Sequence, residues 1–223
     1  MDIADVVRPE PSLVAALGRL ATGTLANALD AVGVTNSILP TIKSVAPGMR
    51  CAGSAMTVRE AIGLHGTYES KDFAVGAIID AAQDGDIIVI EGGGEPISTW
   101  GGMATCAAVE KGVRGLIVDG GVRDLEEIVE FGLPVFARHL VPTTGRLRLK
   151  VEAINHTVTV DGVTIEPGDI VVADGTGIAV IPIGHVDEVL SLAAEFDRDD
   201  TRAVEDLKNG LSFSEAMAKF RNI

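Results

Sequence analysis

The stretch "LIVDGGVRD" at residues 116–124 decides the fold class. An apolar run reaches an aspartate and two glycines, and Arg123 and Asp124 then stand side by side before a run with helical spacing. This order predicts a buried strand that ends in a tight turn and leads into a helix. A cation beside a carboxylate at such a point forms either a surface ion pair at a helix start or two parts of a binding site.

The segments around this stretch repeat the alternation of strand and helix. Residues 12–33 predict either one helix, with Ser12 as its N-cap and Gly33 as its stop, or two shorter helices interrupted near 22–23. Strands are predicted at 47–60, 86–91, 116–121 and 134–140, and helices at 70–83 (opened by Ser70), 103–112 and 122–132. The order indicates an α/β centre with parallel pairing.

The C-terminal part has a different pattern. Residues 149–182 contain two turn signals, "VDGV" and "EPGD", between short β-branched runs, and they predict a β-meander folded against the α/β centre. The segment from His185 to Phe220 is helical and charged, which favours a solvated face or a subunit contact. Without a repeat or a linker, residues 1–223 are expected to form a single domain, with 185–223 as a helical C-terminal extension.

Composition limits the classes of partner. The chain has 223 residues, 47% of them apolar, which is enough to bury a core. Eighteen basic residues against 32 acidic ones give a net charge of −14, so nucleic acid is not expected as a direct partner, because phosphate binding requires a basic patch. A small anionic substrate would need a local arginine, lysine or metal ion to offset this charge.

Other features indicate the compartment. Cys51 and Cys106 have no disulfide-like or metal-like spacing and are interpreted as buried thiols in a reducing compartment. No apolar stretch approaches the roughly 20 residues of a membrane span. The N-terminus lacks the basic-then-apolar pattern of a signal peptide. We therefore expect a cytoplasmic protein with no membrane partner.

A second glycine-rich stretch, "GGGEPISTWGG" at 92–102, lies between a predicted strand and a predicted helix. Its spacing is neither a dinucleotide fingerprint nor a phosphate loop, so it predicts either a carboxylate or phosphate site at a helix N-terminus or a tight connection. Ligands of open α/β sheets bind beyond the carboxyl ends of strands, so both glycine-rich turns are expected to open on one crevice. There Asp124 is a candidate ligand for a hard cation, and Arg123 is a candidate hydrogen-bond donor to a substrate carboxylate.

Several ordered blocks resemble the divalent-metal pyruvate aldolases of the 4-hydroxy-4-methyl-2-oxoglutarate aldolase type, the RraA-like family, which includes the regulator of ribonuclease activity A. The blocks are "LATGTLANALDAVG" (20–33), "GSAMTV" (53–58), "WGGMATCAAVEKGVRGLIVDGGVRD" (100–124), "GLPVFAR" (132–138) and "VDGVTIEPGDIVVADGTGIAVIP" (160–182). The resemblance implies an α/β sandwich of the swivelling β/β/α type. It also implies a homotrimer or homohexamer with sites between subunits.

The enzymatic motif of that family is an acid, twenty intervening residues and then Arg-Asp, and here the last two match as Arg123 and Asp124. The resemblance implies that Arg123 holds a 2-oxo acid substrate and that Asp124 ligates Mg²⁺ or Mn²⁺. It implies that backbone N–H groups receive the pyruvate carboxylate. The implied substrate-binding residues are Arg123, Gly101, Gly102, Met103 and Ala104.

This chain departs from the motif at Gly102, where the acid should stand. Aldol cleavage requires a base for the substrate hydroxyl, whereas decarboxylation of oxaloacetate does not, and loss of a base costs about 10²–10⁴-fold in rate. Gly102 therefore favours decarboxylation, unless Glu95 or an acid of a neighbouring subunit substitutes. The resemblance also implies a glutamate from the adjacent subunit, for which Glu195 is the candidate and Asp197 the next.

Two functional hypotheses remain from the sequence. The first is a metal-dependent lyase of the class II pyruvate aldolase or oxaloacetate decarboxylase type, which the Arg-Asp pair favours. The second is a non-catalytic regulator of ribonuclease activity that binds a protein partner, for which Gly102 leaves room. A methyltransferase is disfavoured because no nucleotide-type loop follows a first strand.

Overall fold

The computed structural model describes residues 1–220 and places a large mixed sheet between a layer of helices and a small hairpin. The strands are β1 (Asp2–Ile3), β2 (Ile38–Leu39), β3 (Lys43–Ser44), β4 (Cys51–Ile62), β5 (Asp86–Glu91), β6 (Ser98–Trp100), β7 (Gly115–Val122), β8 (Val135–Leu140), β9 (Leu149–Ile154), β10 (Val158–Val160), β11 (Val163–Ile165), β12 (Ile170–Ala173) and β13 (Ile178–Ile181). The helices are α1 (Pro11–Leu17), α2 (Thr22–Ala31), α3 (Val75–Ala81), α4 (Gly102–Glu110), α5 (Leu125–Phe131), α6 (Val186–Lys208) and α7 (Phe213–Lys219).

The predicted α/β centre is confirmed. β4, β5, β7 and β8 are parallel neighbours, and α3, α4 and α5 lie between them along the chain. Both faces of β5 are buried: Ile88 and Ile90 join the cluster under these helices, while Ile87 and Val89 join the cluster under the hairpin β10–β11. Continuous apolar runs are typical of strands covered on both sides. The three layers match the predicted β/β/α sandwich.

The predicted β-meander over 149–182 is confirmed only in part: β10 pairs with β11 and β12 with β13, but β9 does not pair with β10, nor β11 with β12. The twelve-residue strand β4 pairs antiparallel with β12 over its first part and with β9 over its second part. Between these two, β10 and β11 form a separate hairpin whose valines and isoleucine are buried and whose threonines are exposed. A hairpin with one apolar face must bury it, and here it covers the main sheet.

The helix boundaries correct three details of the sequence interpretation. Two short helices, α1 and α2, occupy 12–33, as the second alternative predicted. Ser12 is not an N-cap, because α1 begins at Pro11, a residue whose missing N–H suits the first helical position. Ser70 does not open α3; it begins a 3-10 turn, and α3 starts at Val75.

The C-terminal segment is helical, as predicted. α6 packs against α1, α2 and the outer strands through Val189, Ala193 and Phe196, and α7 follows it. Residues 221–223 of the predicted extension lie outside the described residues. Within residues 1–220, no helix is both long and apolar enough to cross a membrane.

Close packing of β4 on β5 predicts a stability effect at Gly53. A Cβ there would lie 2.5 Å from the Gly85 carbonyl oxygen and 2.8 Å from Ile87 Cγ1. We expect Gly53→Ala to lower the free energy of unfolding by about 1–3 kcal/mol in urea denaturation, because overpacking displaces the backbone. The matched control is Gly76→Ala in α3, where a Cβ meets nothing within 4 Å and helix propensity improves. Equal effects of the two substitutions would contradict this packing.

Candidate active site

Pairing of β6 with the end of β7 brings the two glycine-rich turns together. Trp100 is the register partner of Val122, and Arg123 N donates a hydrogen bond to the Trp100 carbonyl oxygen at 3.0 Å. The stretch at 92–102 was predicted as a loop throughout, but it contains this short strand. β6 leads into α4 through Gly101, and β7 leads into α5 through Asp124, so both helices begin at the same edge of the sheet.

A pocket of about 320 Å³ lies between these two helix starts. The structure brings together in its lining all the substrate-binding and metal-binding positions expected from the sequence, namely Gly101, Gly102, Met103, Ala104, Arg123 and Asp124. Met103 stands at the mouth with its side chain 88% exposed. The volume suits a small organic acid.

Asp124 has an unusual backbone conformation. Its φ of 59° and ψ of 48° are left-handed, which is uncommon for a residue other than glycine and clusters at functional sites. It occupies the N-cap position of α5 without capping that helix; its Oδ2 instead accepts a hydrogen bond from Gly102 N at 3.1 Å. The main-chain torsion thus directs the carboxylate across the pocket toward α4.

The pocket offers two kinds of donor to an anion. The Arg123 guanidinium is 45% exposed, and its ionic neighbour within residues 1–220 is Asp124, with Nε 3.5 Å from Oδ2. At the start of α4 the N-cap is Gly101, which has no side chain, so the N–H groups of Met103 and Ala104 remain uncapped. Such N–H groups and the helix dipole favour negative charge.

Space, rather than backbone freedom, explains the two glycines at 101 and 102. A Cβ on Gly101 would collide with Asp124 Oδ2 and lie 3.2 Å from Arg123 Nε. A Cβ on Gly102 would overlap the Glu127 carboxylate, with Glu127 Cδ 2.5 Å and Glu127 Cβ 2.8 Å from that point. The side chains of Arg123, Asp124 and Glu127 therefore fill the volume that side chains at positions 101 and 102 would otherwise take.

The donor set suits a hard, hydrated cation. Mg²⁺ keeps several water ligands and is held by one or two carboxylates. Asp124 supplies such a carboxylate, because its side chain does not cap α5. Among residues 1–220 no group of three or more His, Cys, Asp or Glu side chains forms a metal cluster. Asp124 is the residue of the pocket that could hold Mg²⁺ or Mn²⁺.

Other sequence candidates lie elsewhere in the chain. Glu95 is exposed in the loop before β6 and is not part of the pocket lining. Asp119 of β7, in the stretch 116–124, pairs with Arg138, which also bridges to Asp161, and it does not line the pocket. Glu195 is exposed on α6, outside the pocket of its own chain; because it was expected to act in an adjacent subunit, its role stays a prediction.

The sequence interpretation missed two acids at this site. Glu127 lines the pocket three residues after Asp124, a helical spacing that was visible in the sequence. Glu60 lies buried on β4 behind the pocket. Its carboxylate accepts a hydrogen bond from the hydroxyl group of Thr99, which lines the pocket. Burial raises the pKa of Glu60 to about 7, against the smaller lowering by the Thr99 hydrogen bond.

A family model described as RraA-like (Aldolase/RraA) matches residues 22–180, which contain the whole pocket. The chain belongs to the RraA-like family. A solved RraA-like relative supports the fold: the structure of Streptomyces coelicolor RraAS2, "an unusual member of the RNase ES inhibitor RraA protein family", is 26% identical. It aligns with a TM-score of 0.78 over 93% of this chain and 100% of that one.

Curated proteins similar to this chain differ in name and in length. A Halalkalibacterium halodurans protein named "Putative 4-hydroxy-4-methyl-2-oxoglutarate aldolase" is 32% identical over 83% of this chain and 85% of that protein. Protein DlpA of Legionella pneumophila is 29% identical over 92% of this chain but 33% of its own length, so this chain spans about a third of that relative. The family expected from the sequence is therefore confirmed.

The buried Glu60 predicts a pH-dependent stability. Its folded-state pKa of about 7 lies above the ordinary 4.5, so its contribution to stability is complete below about pH 4.5 and is lost as the pH rises through 7. From pH 5 to pH 8 this loss is on the order of 2–3 kcal/mol. Glu60→Gln should abolish that part of the pH dependence in urea denaturation. Glu152→Gln, an exposed acid on β9, should keep it; a Glu60→Gln protein with the wild-type pH dependence would contradict the prediction.

Proposed function

We propose that the protein is a divalent-metal-dependent carbon–carbon lyase acting on pyruvate-containing 2-oxo acids. Its reactions are aldol cleavage of substrates of the 4-hydroxy-4-methyl-2-oxoglutarate type and decarboxylation of oxaloacetate to pyruvate. The observation that carries the proposal is a single pocket that holds Arg123, Asp124 and the start of α4, where the N–H groups of Met103 and Ala104 have no capping side chain. The aldolase name of the Halalkalibacterium halodurans relative supports the same class.

Substrate binding follows from the donors in the pocket. The pyruvate carboxylate accepts hydrogen bonds from the backbone N–H groups of Met103 and Ala104, where the helix dipole favours an anion. Arg123 directs its guanidinium donors to the remaining oxygens of the 2-oxo acid. These local donors are required because the chain carries a net charge of −14, which opposes anion binding from a distance.

Both reactions place negative charge on the same fragment, the enolate of pyruvate. Asp124 would hold Mg²⁺ or Mn²⁺, and a bound cation would supply Lewis-acid polarisation of the oxo group. Arg123 donates to the oxygens on which the charge grows, and such a preorganised donor acts more strongly in the transition state than in the ground state. Arg123 and Asp124 thus act on one developing charge.

A second candidate function is non-catalytic binding of a protein partner. Gly102 in place of the motif acid favours it, and so does the likeness to Streptomyces coelicolor RraAS2, whose description names an inhibitor family. In this function the acidic surface, rather than the pocket, would make the contact. A homotrimer or homohexamer with Glu195 from the adjacent subunit in the site remains part of the lyase proposal.

Asp124→Asn tests the lyase against the binding protein. Asparagine tolerates the left-handed backbone of position 124, so this substitution removes the charge while keeping the turn. We expect release of pyruvate from oxaloacetate and from 4-hydroxy-4-methyl-2-oxoglutarate to require Mg²⁺ or Mn²⁺, to stop with a chelator, and to fall about 10²-fold or more in Asp124→Asn. The control is thermal unfolding: the Asp124→Asn variant should have the same melting curve as the wild-type protein. Failure of the wild-type protein to turn over either acid would favour the binding function.

Arg123→Lys tests the guanidinium separately from the charge. Lysine keeps the positive charge but loses the planar fork, and a charge-assisted hydrogen bond contributes about 1.5–3 kcal/mol, so kcat/KM should fall roughly tenfold or more. The matched control is Arg114→Lys, an exposed arginine paired with Asp84 outside this pocket, for which kcat/KM should not change. Equal kinetics of the two variants would exclude Arg123 from substrate binding.

A further inference from the structure

A buried acid and a threonine hydroxyl connect the interior of the sheet to the pocket. Glu60 is 7% exposed on β4, and its carboxylate accepts a hydrogen bond from Thr99 Oγ1 on β6. Thr99 belongs to the pocket lining, whereas Glu60 lies behind it. The neighbouring hydroxyl of Ser98 donates to the Trp100 carbonyl oxygen instead. Thr99 is therefore the side chain of β6 that joins the pocket to a titratable group.

No ion pair holds Glu60 in its charged form. The adjacent Arg59 pairs with Glu91, and the register partner of Glu60 on β9 is Val151, which belongs to the apolar cluster under the helices. The charged residues of β9 alternate with Val151 and so lie on the opposite face of that strand: Lys150 and Glu152. The charged side chains on the pocket side of Thr99 are Arg123, Asp124 and Glu127. Burial is the larger cause that sets the pKa of Glu60, and the Thr99 hydrogen bond is the smaller, opposing one.

The pair can move a proton at neutral pH. Because burial raises the pKa of Glu60 to about 7, its carboxyl group both holds and releases a proton there, as a general acid–base group must. A hydroxyl group donates one hydrogen bond and also accepts. When Glu60 is ionised, Thr99 donates to it; when Glu60 is neutral, its O–H can donate to Thr99 Oγ1. The Thr99 proton is then free for a group in the pocket.

We infer that Glu60 and Thr99 form a proton relay that protonates the pyruvate enolate in this pocket. The inference rests on the proposed lyase function and extends it to the step that follows bond cleavage. It places the proton source on β4 and β6, behind the residues that bind the substrate. Aldol cleavage and oxaloacetate decarboxylation both end in this step, so the relay serves both reactions.

The proton and electron balance of the step is closed. Thr99 Oγ1 gives its proton to the methylene carbon of the enolate. The π electron pair of the enolate forms the new C–H bond, and the oxygen's pair restores the oxo group. The carboxylic proton of Glu60 moves to Thr99 Oγ1. The Glu60 carboxylate then regains a proton from water after pyruvate has left the pocket.

Exchange of the methyl hydrogens of pyruvate in D₂O tests the relay, because the same groups must act in reverse. With the full chain and Mg²⁺, Thr99→Val and Glu60→Gln should each lower kcat for exchange by about 10²–10⁴-fold and leave KM unchanged. Thr99→Ser keeps the hydroxyl group and should keep most of the wild-type rate. The matched control is Thr57→Val, a buried threonine of β4 whose hydroxyl donates to the His156 carbonyl oxygen outside the pocket, and its exchange rate should not change.

The outcomes separate the relay from the function beneath it. Exchange at the wild-type rate in Thr99→Val or Glu60→Gln, or a Thr99→Ser variant as slow as Thr99→Val, would overturn the relay. A wild-type protein that releases pyruvate from oxaloacetate but exchanges no methyl hydrogen would overturn it as well. A wild-type protein that releases pyruvate from neither 2-oxo acid would instead overturn the lyase proposal.

Infrared spectroscopy gives a second readout that does not depend on activity. Ordinary carboxyl groups are ionised above about pH 5, so a carboxylic C=O band that persists up to about pH 7 should come from Glu60 and be absent in Glu60→Gln. Thr99→Val should raise the midpoint of this titration, because the Thr99 hydrogen bond lowers the pKa of Glu60. Glu152→Gln should leave the band and its midpoint unchanged. An unchanged midpoint in Thr99→Val would overturn the relay.

Discussion

The hydrogen bond between Arg123 N and the Trp100 carbonyl oxygen is the contact on which the pocket depends. It extends the parallel pairing of β6 and β7 by one residue, to the point where each chain segment turns into a helix. Trp100 is buried, and its Nε1 donates a hydrogen bond to Thr105 Oγ1, which ties β6 to the following helix α4. Because of this pairing, the first residues of α4 and α5, which are 23 positions apart in the chain, face one cavity.

The central part of the fold could be predicted because its signal is local. β5 and β7 are buried on both faces and therefore appear as nearly continuous apolar runs in the sequence. β6 could not be found this way, since three residues among glycines carry no period. The meander failed for a different reason: β9 and β12 pair with β4, about a hundred residues earlier in the chain, and no turn signal specifies so distant a partner.

The same distinction applies to the site. Arg123 and Asp124 are neighbours in sequence at a strand end, so their chemistry could be expected from the chain alone. The position of Glu127 beside Gly102 could not be predicted, because it depends on where a Cβ of that glycine would point in three dimensions. Glu60 reads as one polar residue within a strand, and only its burial in three dimensions shifts its pKa.

The exchange of space between Gly102 and Glu127 bears on how members of this family are sorted. A linear pattern that demands an acid at the first position of α4 finds none in this chain. A spatial criterion does find one, because a carboxylate oxygen of Glu127 stands where that side chain would extend. The acid then lies on the α5 wall of the cavity instead of the α4 wall.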